Sequence, residues 1–360
     1  MSSSRLFTPL QVGNTHLSHR MAMAPLTRYR ATVDHVPTDL QEIYYRQRAS
    51  IPGTLLITEA TFISLRAGGY ANAPGIYAPE HIAKWRKVTD AVHAKGSYIF
   101  LQLWNLGRAA RSDVAEREGY TIKSASDVPI DASAPVPEPM TIDEIQQTVK
   151  DYATAAKNAI EAGFDGVEIH GANGYLIDQF IQDVTNKRTD EYGGSVENRS
   201  RFAVEVVNAV VEAVGAERTA IRFSPWGQFL NMRMEDPVTQ FSDVIRKISV
   251  HNLAYIHFVQ SGVVGNADGE KREGEDFGWA LDIFKGPILL AGGLDAERAK
   301  KLVDEEYKER DNVVAVFGRY FISNPDLPFR VKEGIELAPF DENLFYNREQ
   351  AKGLGEHHTL

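Results

Sequence analysis

One pattern restricts the fold of this chain more than any other. Short apolar runs alternate with longer amphipathic segments eight times over about 320 residues. The runs are Met21–Pro25, Thr54–Thr58, Ser97–Leu101, Asp165–Ile169, Thr219–Phe223, Ala254–Phe258, Pro287–Ala291 and Val313–Phe317. Each has the length of a buried strand, and helical spacing follows it. Repeated βα units in this number predict α/β architecture: one parallel (β/α)8 TIM barrel, with residues 1–360 forming a single domain. A doubly wound sheet needs fewer strands, and no G-x-G-x-x-G follows any of the runs.

Local signals place the helices. Thr38-Asp39-Leu40-Gln41 and Thr141-Ile142-Asp143-Glu144 are capping boxes, and Ala78-Pro79-Glu80 sets Pro in a first turn. Ile142, Ile145, Val149, Tyr152, Ala156 and Ile160 recur at spacings of three and four and form one apolar stripe. Further helices are expected near 195–214, 238–250, 277–284 and 295–307, and after Asn324. Ahead of the first strand, Leu10–Leu17 reads as a hairpin around Gly13-Asn14, suited to plugging one end of the barrel. Residues 105–140, rich in Ala, Ser, Asp and Pro, break the rhythm and are expected to be an inserted loop or cap at the mouth.

In such a barrel the loops at the carboxyl ends of the strands converge on a common mouth. The fourth run leads there into His170-Gly171-Ala172-Asn173-Gly174-Tyr175. His170 and Asn173 can each give an N–H to one oxygen, which polarises a carbonyl or holds an enolate or phenolate. A phenol titrates near ~10, so Tyr175 keeps its proton at neutral pH and is a candidate general acid. Alone, each of the three can equally satisfy a loop backbone group or pack; their crowding after one strand favours a site. The loops after strands seven and eight carry Gly292-Gly293 and Gly318-Arg319, the glycine and arginine chemistry of a phosphate site.

Arg222 lies inside the apolar fifth run. A buried charge needs a partner, either a carboxylate, with Glu59 at the end of strand two as candidate, or a negative group of a ligand. Gln102, Thr27 and Trp104 also end strands and can bond and wall a flat heteroaromatic ring. His257 reads as a satisfied core histidine, and His357 and His358 as solvated tail.

The absence of cysteine excludes disulfides, thiolate metal sites and cysteine nucleophiles. With no H-E-x-x-H or other ligand spacing, no metal is expected. A net charge of −10 argues against non-specific binding to nucleic acid or acidic membrane. No apolar run approaches the ~20 residues of a membrane span. The first residues lack a signal-peptide apolar core, so a cytoplasmic protein is expected.

Together these residues resemble the Old Yellow Enzyme family of FMN-dependent ene-reductases, from about Leu6 to Tyr346. The resemblance is carried by Ala24-Pro25-Leu26-Thr27-Arg28, by Gln102-Leu103-Trp104 with Gly107-Arg108, and by His170–Leu176 with Gln179-Phe180. Arg188–Ser195, Glu197-Asn198-Arg199, Phe317-Gly318-Arg319 and Ser323–Leu327 extend it. It implies that Pro25, Thr27, Ala60 and Gln102 contact the isoalloxazine ring, with Arg222 at its anionic pyrimidine end. Gly292, Gly293, Gly318 and Arg319 would hold the phosphate. His170 and Asn173 would bind the substrate oxygen, Tyr175 would supply the proton, and Trp104, Phe229 and Tyr346 would line the pocket.

The implied activity is hydride uptake from NADPH followed by reduction of the activated C=C bond of a small enal or enone, by a monomer or homodimer. Alternatives are an enal isomerase using the same pocket and a non-flavin barrel lyase. Two departures stand out: Ala60 occupies a position where relatives often have Gly, and they usually run on past the Tyr346 region with an aromatic, Pro-containing tail. The fungal branch acting on ergot-alkaloid enals is similar in Gly171 and Leu176-Ile177-Asp178-Gln179.

Overall fold

Eight parallel strands close on themselves in the computed structural model, which describes residues 4–264, 267–268, 274–348 and 350. They are β1 (Met21–Met23), β2 (Leu55–Ile57), β3 (Tyr98–Trp104), β4 (Gly166–Gly171), β5 (Thr219–Phe223), β6 (Tyr255–Val259), β7 (Ile288–Ala291) and β8 (Val313–Phe317). Each pairs with the next in chain order, and β8 returns to β1 through Ala315 opposite Met21 and Phe317 opposite Met23. The helices that follow them include α1 (Asp39–Arg48), α2 (Pro79–His93), α3 (Ile142–Glu161), α4 (Val196–Val214), α5 (Pro237–Ile248), α6 (Gly278–Ile283), α7 (Ala296–Lys301) and α8 (Leu327–Glu333). The (β/α)8 barrel expected from the alternation is the fold.

Both capping boxes form. Thr38 and Gln41 close α1, and Thr141 and Glu144 close α3, each pair exchanging side-chain and backbone bonds. The segment expected to be helical over 295–307 departs from that expectation: it is α-helical over Ala296–Lys301 and widens to a π turn at Leu302–Glu306. Arg5, distant in sequence, supplies the donors there. Its guanidinium bonds the carbonyls of Val303 and Tyr307, and its backbone N–H donates to Asp304 Oδ1 at 3.0 Å. Residues 105–140 are also more ordered than loop. They hold a short helix, Ser112–Glu118, and a parallel pairing of Lys123–Ser124 with Glu138–Pro139. Arg108, 2% exposed, ties this segment down by donating to the carbonyls of Val128, Pro129 and Leu230.

The period of two along each strand divides the side chains between two cores. Val167, Ile169, Ile221, Phe223, Ile256 and Phe258 pack outward against the helices. Ala22, Leu55, Ile57, Phe100, Ala220, Tyr255, Leu289, Val314 and Val316 fill the interior. The antiparallel pair Leu10–Val12 and Thr15–Leu17 adds the fully buried Val12 and Leu17 to that interior cluster. At the other end of the barrel the same alternation turns Gln102, Glu168, His170, Arg222 and His257 inward. The tail 351–360, with His357 and His358, lies outside the described residues.

Candidate active site

One cavity opens at the carboxyl ends of the strands, with ≈ 1310 Å³ of space including its mouth. It brings together every site residue expected from the sequence. Pro25 and Thr27 follow β1, Ala60 follows β2, and Gln102 and Trp104 end β3. His170, Asn173 and Tyr175 come from β4 and its loop, Arg222 from β5, and Phe229 from the loop beyond it. Gly292 and Gly293 follow β7, Gly318 and Arg319 follow β8, and Tyr346 stands at the rim, 47% exposed. Leu26, Val259, Leu294, Tyr320, Ile322 and Phe345 line it as well, and the sequence had not singled them out.

The loop after β4 is built to present three groups. Asn173 and Gly174 both take left-handed backbone, at φ 57° and 75°, and reverse the chain. A Cβ on Gly174 would lie 2.7 Å from Met232 Cγ, so only glycine fits there. The backbone N–H of Asn173 donates to Ser224 Oγ at 2.7 Å, and that of Gly174 to the buried Asp178 Oδ2 at 2.9 Å. Gln179 secures the turn from beneath by donating to the Gly174 and Leu106 carbonyls.

His170 is 3% exposed, and its Nδ1 accepts the Ala172 N–H at 3.4 Å. That contact assigns the ring proton to Nε2. Burial, reinforced by the charge of Arg222, holds the imidazole well below its ordinary pKa, so His170 is a neutral N–H donor. Tyr175 stands edge-on to the His170 ring at 4.8 Å and to Trp104 at 5.0 Å. Its phenol makes no hydrogen bond among the described residues. Burial, with the neighbouring phenols of Tyr70, Tyr29 and Tyr346, pushes it well above the usual 10, so the proton is retained. Trp104 is less a free wall than the middle of a stack, parallel to Phe62 at 5.1 Å and to His170 at 6.3 Å.

Glu59 is not the partner of Arg222. It sits beyond the end of β2, turned toward α1, where its Oε2 accepts the backbone N–H of Arg28 at 3.1 Å. Burial raises its pKa to about 7 against the pull of Arg28 and Arg30. The carboxylate that acts on Arg222 is Glu168, and Arg222 Nε has no hydrogen-bond partner among the described residues. Among the described residues His257 is satisfied at one nitrogen only: Nδ1 meets Glu168 Oε2 at 2.8 Å, while Nε2 has no partner. Sequence reasoning missed Glu168. The available signal was an acidic residue two positions before His170, on the same face of a buried strand.

The sequence matches the NADH:flavin oxidoreductase / NADH oxidase family over residues 5–338. The chain belongs to this family. It is 55% identical to a chanoclavine-I aldehyde reductase of Penicillium roqueforti, over 97% of this chain and 95% of that protein. It is 51% identical to an NADP-dependent oxidoreductase of Aspergillus flavus, over 95% and 93%. The crystal structure of Old Yellow Enzyme from Pichia sp. AKU4542 matches with a TM-score of 0.91 and 40% identity, covering 98% of this chain and 92% of that one. The protein is thus a flavin oxidoreductase of the Old Yellow Enzyme type, with FMN as its cofactor.

The family's cofactor can be tested against the cavity. Gly292 and Gly293, at φ 154° and 60°, hold backbone that other residues rarely adopt, and a Cβ on Gly292 would lie 2.7 Å from Gln260 Cβ. Gly318 precedes the turn Arg319–Ser323, whose first N–H groups have no intrahelical acceptor. With the Arg319 guanidinium beside them, these loops suit a phosphate. The Arg222 guanidinium, which lines the cavity, suits an anionic ring edge deep in the pocket. No group of three His, Cys, Asp or Glu able to hold a metal occurs among the described residues. The donors and cradle present fit FMN.

Proposed function

We propose that this flavin oxidoreductase reduces the activated C=C bond of an α,β-unsaturated aldehyde or ketone, an enal of fungal alkaloid metabolism being the substrate class its relatives favour. The observation that carries this is the grouping of a neutral His170 Nε2–H, the Asn173 amide and an unbonded Tyr175 phenol on one wall of one cavity. FMN, when bound, supplies hydride chemistry between a reduced nicotinamide and the β-carbon of the alkene.

The protein's own residues do the rest. Arg319 and the glycine loops hold the phosphate, while Gln102, Thr27, Pro25, Ala60 and Arg222 contact the ring system. His170 and Asn173 donate to the carbonyl oxygen of the substrate and draw electron density from its β-carbon. Tyr175 delivers its proton to the α-carbon, and its burial keeps competing water away. Trp104, Phe229 and Tyr346 line the substrate's side of the pocket. Tyr175 in place favours net reduction over isomerisation in the same pocket. We place the protein in the cytoplasm as a monomer or homodimer with no nucleic-acid role, which cell fractionation and gel filtration test.

Stopped-flow of the separate half-reactions tests the mechanism. Tyr175→Phe is expected to leave reduction by NADPH near wild type and to slow reoxidation by an enone. Equal slowing of both would show that Tyr175 only packs, and unchanged reoxidation would assign the proton to another group.

A further inference from the structure

The interior of the barrel beneath the cavity holds a second layer of polar groups whose geometry has a direct consequence for the ligand above it. Glu168 is fully buried. Its Oε1 accepts from Gln102 Nε2 at 2.7 Å and its Oε2 from His257 Nδ1 at 2.8 Å. A carboxylate offers only acceptors, so it fixes which end of the Gln102 amide faces it. The amide nitrogen must point down at Glu168, and Oε1 is left for the cavity, where Gln102 is a lining residue. Across β5, Arg222 lies in register with both His170 on β4 and His257 on β6. No carboxylate makes an ion pair with it among the described residues.

We propose that Glu168 is a positioning residue for the cofactor: it orients the Gln102 amide so that an acceptor meets the ring, and it offsets the charge of Arg222, thereby setting the redox potential of bound FMN. The role rests on FMN occupying this pocket. A ring edge carrying an N–H beside an electron-rich carbonyl matches an acceptor on Gln102 next to a cation on Arg222. Burial alone would raise the pKa of Glu168, yet His257, Arg222 and Gln102 together hold it below the ordinary carboxylate value. Burial likewise lowers the pKa of His257, which leaves the imidazole neutral. The interior thus holds one negative and one positive charge, with both histidines neutral. Removing the negative one leaves Arg222 uncompensated and favours the added negative charge of reduced FMN.

The test is the midpoint potential and FMN affinity of the purified holoenzyme and of Glu168→Gln, which keeps shape but removes charge. A roughly tenfold stronger preference for reduced over oxidised FMN is expected, which is about 30 mV upward for a two-electron couple. Glu168→Asp, which keeps the charge, should stay near the wild-type potential. An unmoved potential in a Glu168→Gln protein that binds FMN normally would overturn this role alone, as would an equal shift in Glu168→Asp. Failure of the wild-type protein to take up FMN would overturn the cofactor assignment and this role with it. Should Glu168→Gln fail to fold, the charge-balanced Glu168→Gln/Arg222→Gln double variant is expected to restore soluble protein. If it too fails, charge compensation is refuted.

Discussion

The two halves of the barrel interior solve different problems. On β7, β8, β1 and β2 the inward residues are Leu289, Ala291, Val314, Val316, Ala22, Ala24, Leu55 and Ile57, an apolar packing. On β3 to β6 they include Gln102, Glu168, His170, Arg222 and His257, all buried. These inward residues carry no side-chain donors, so the contribution of the apolar half comes at the strand ends, from Pro25, Thr27 and Ala60, from the Gly292-Gly293 and Gly318 backbone and from Arg319. The polar half places charge and hydrogen-bond donors inside a low-dielectric core, where an unpaired group is costly. It meets much of that cost internally, Glu168 against Arg222 and His257. One half offers the cavity its strand ends, the other its buried polar side chains.

The largest effect that would sharpen this division belongs to Tyr175. Its replacement by Phe is expected to slow the oxidative half-reaction by about 10²–10⁴, the range of a positioned general acid, with FMN affinity unchanged. A fall in FMN affinity of similar size would blur the division, and equilibrium titration of the apoprotein reads it.

His170→Ala should lower enone turnover by roughly 10²–10³ as one oxyanion donor is lost. The same variant should weaken the long-wavelength absorbance band that para-substituted phenols give on binding. Retained phenol affinity in His170→Ala/Asn173→Ala would mean that the pair is structural.

In the apolar half, Leu289→Ala should cost about 2–5 kcal/mol of stability, since a fully buried leucine leaves a cavity. Its bound-FMN potential should match wild type, in contrast with changes at Glu168. Chemical denaturation and a redox titration measure the two separately. Gly292→Ala should act on the grip itself: at φ 154° with Gln260 Cβ at 2.7 Å, strain of about 1–3 kcal/mol is expected to appear as weaker FMN binding. Binding as tight as wild type would show that this loop gives way.

The smallest effect is one of pH. The folded pKa of His170 lies below its unfolded value, chiefly through burial. The unfolded chain therefore takes up the proton first. The stabilisation is complete above about 6.5 and is lost as the pH falls toward the folded value. His170→Gln should lose less stability than wild type between pH 7.5 and pH 5, as denaturation midpoints would show. Parallel losses would mean that other groups dominate acid unfolding.

Much of this molecule is legible in its sequence. The periods of two and 3.6, the capping boxes at Thr38 and Thr141, and the crowding of His170, Asn173 and Tyr175 behind one strand are all local. Local signals survive because a cap bonds three residues along and a strand alternates whatever surrounds it. The short elements of 105–140 escaped because they bury too few side chains, Val114 and Ala115 in the helix, to show a period. The π turn at Leu302–Glu306 escaped because the carbonyls of Val303 and Tyr307 find their donor in Arg5, far away in sequence.

Which buried charges meet was likewise closed to sequence. Arg222 acts with Glu168, and Glu59 with Arg28, because strand register and the turn after β2 carry the side chains to opposite sides. The rim was settled in the same way: Arg28 Nε and Arg30 Nη1 donate to the Phe345 carbonyl at 2.9 and 3.0 Å, pinning the segment that bears Tyr346 beside Tyr29. Sequence alone determined the barrel and the grouping of His170, Asn173 and Tyr175 behind one strand, since both follow from neighbours along the chain. Only the tertiary structure decided the charge balance beneath the pocket and the anchoring of its rim, since both depend on contacts between residues far apart in sequence.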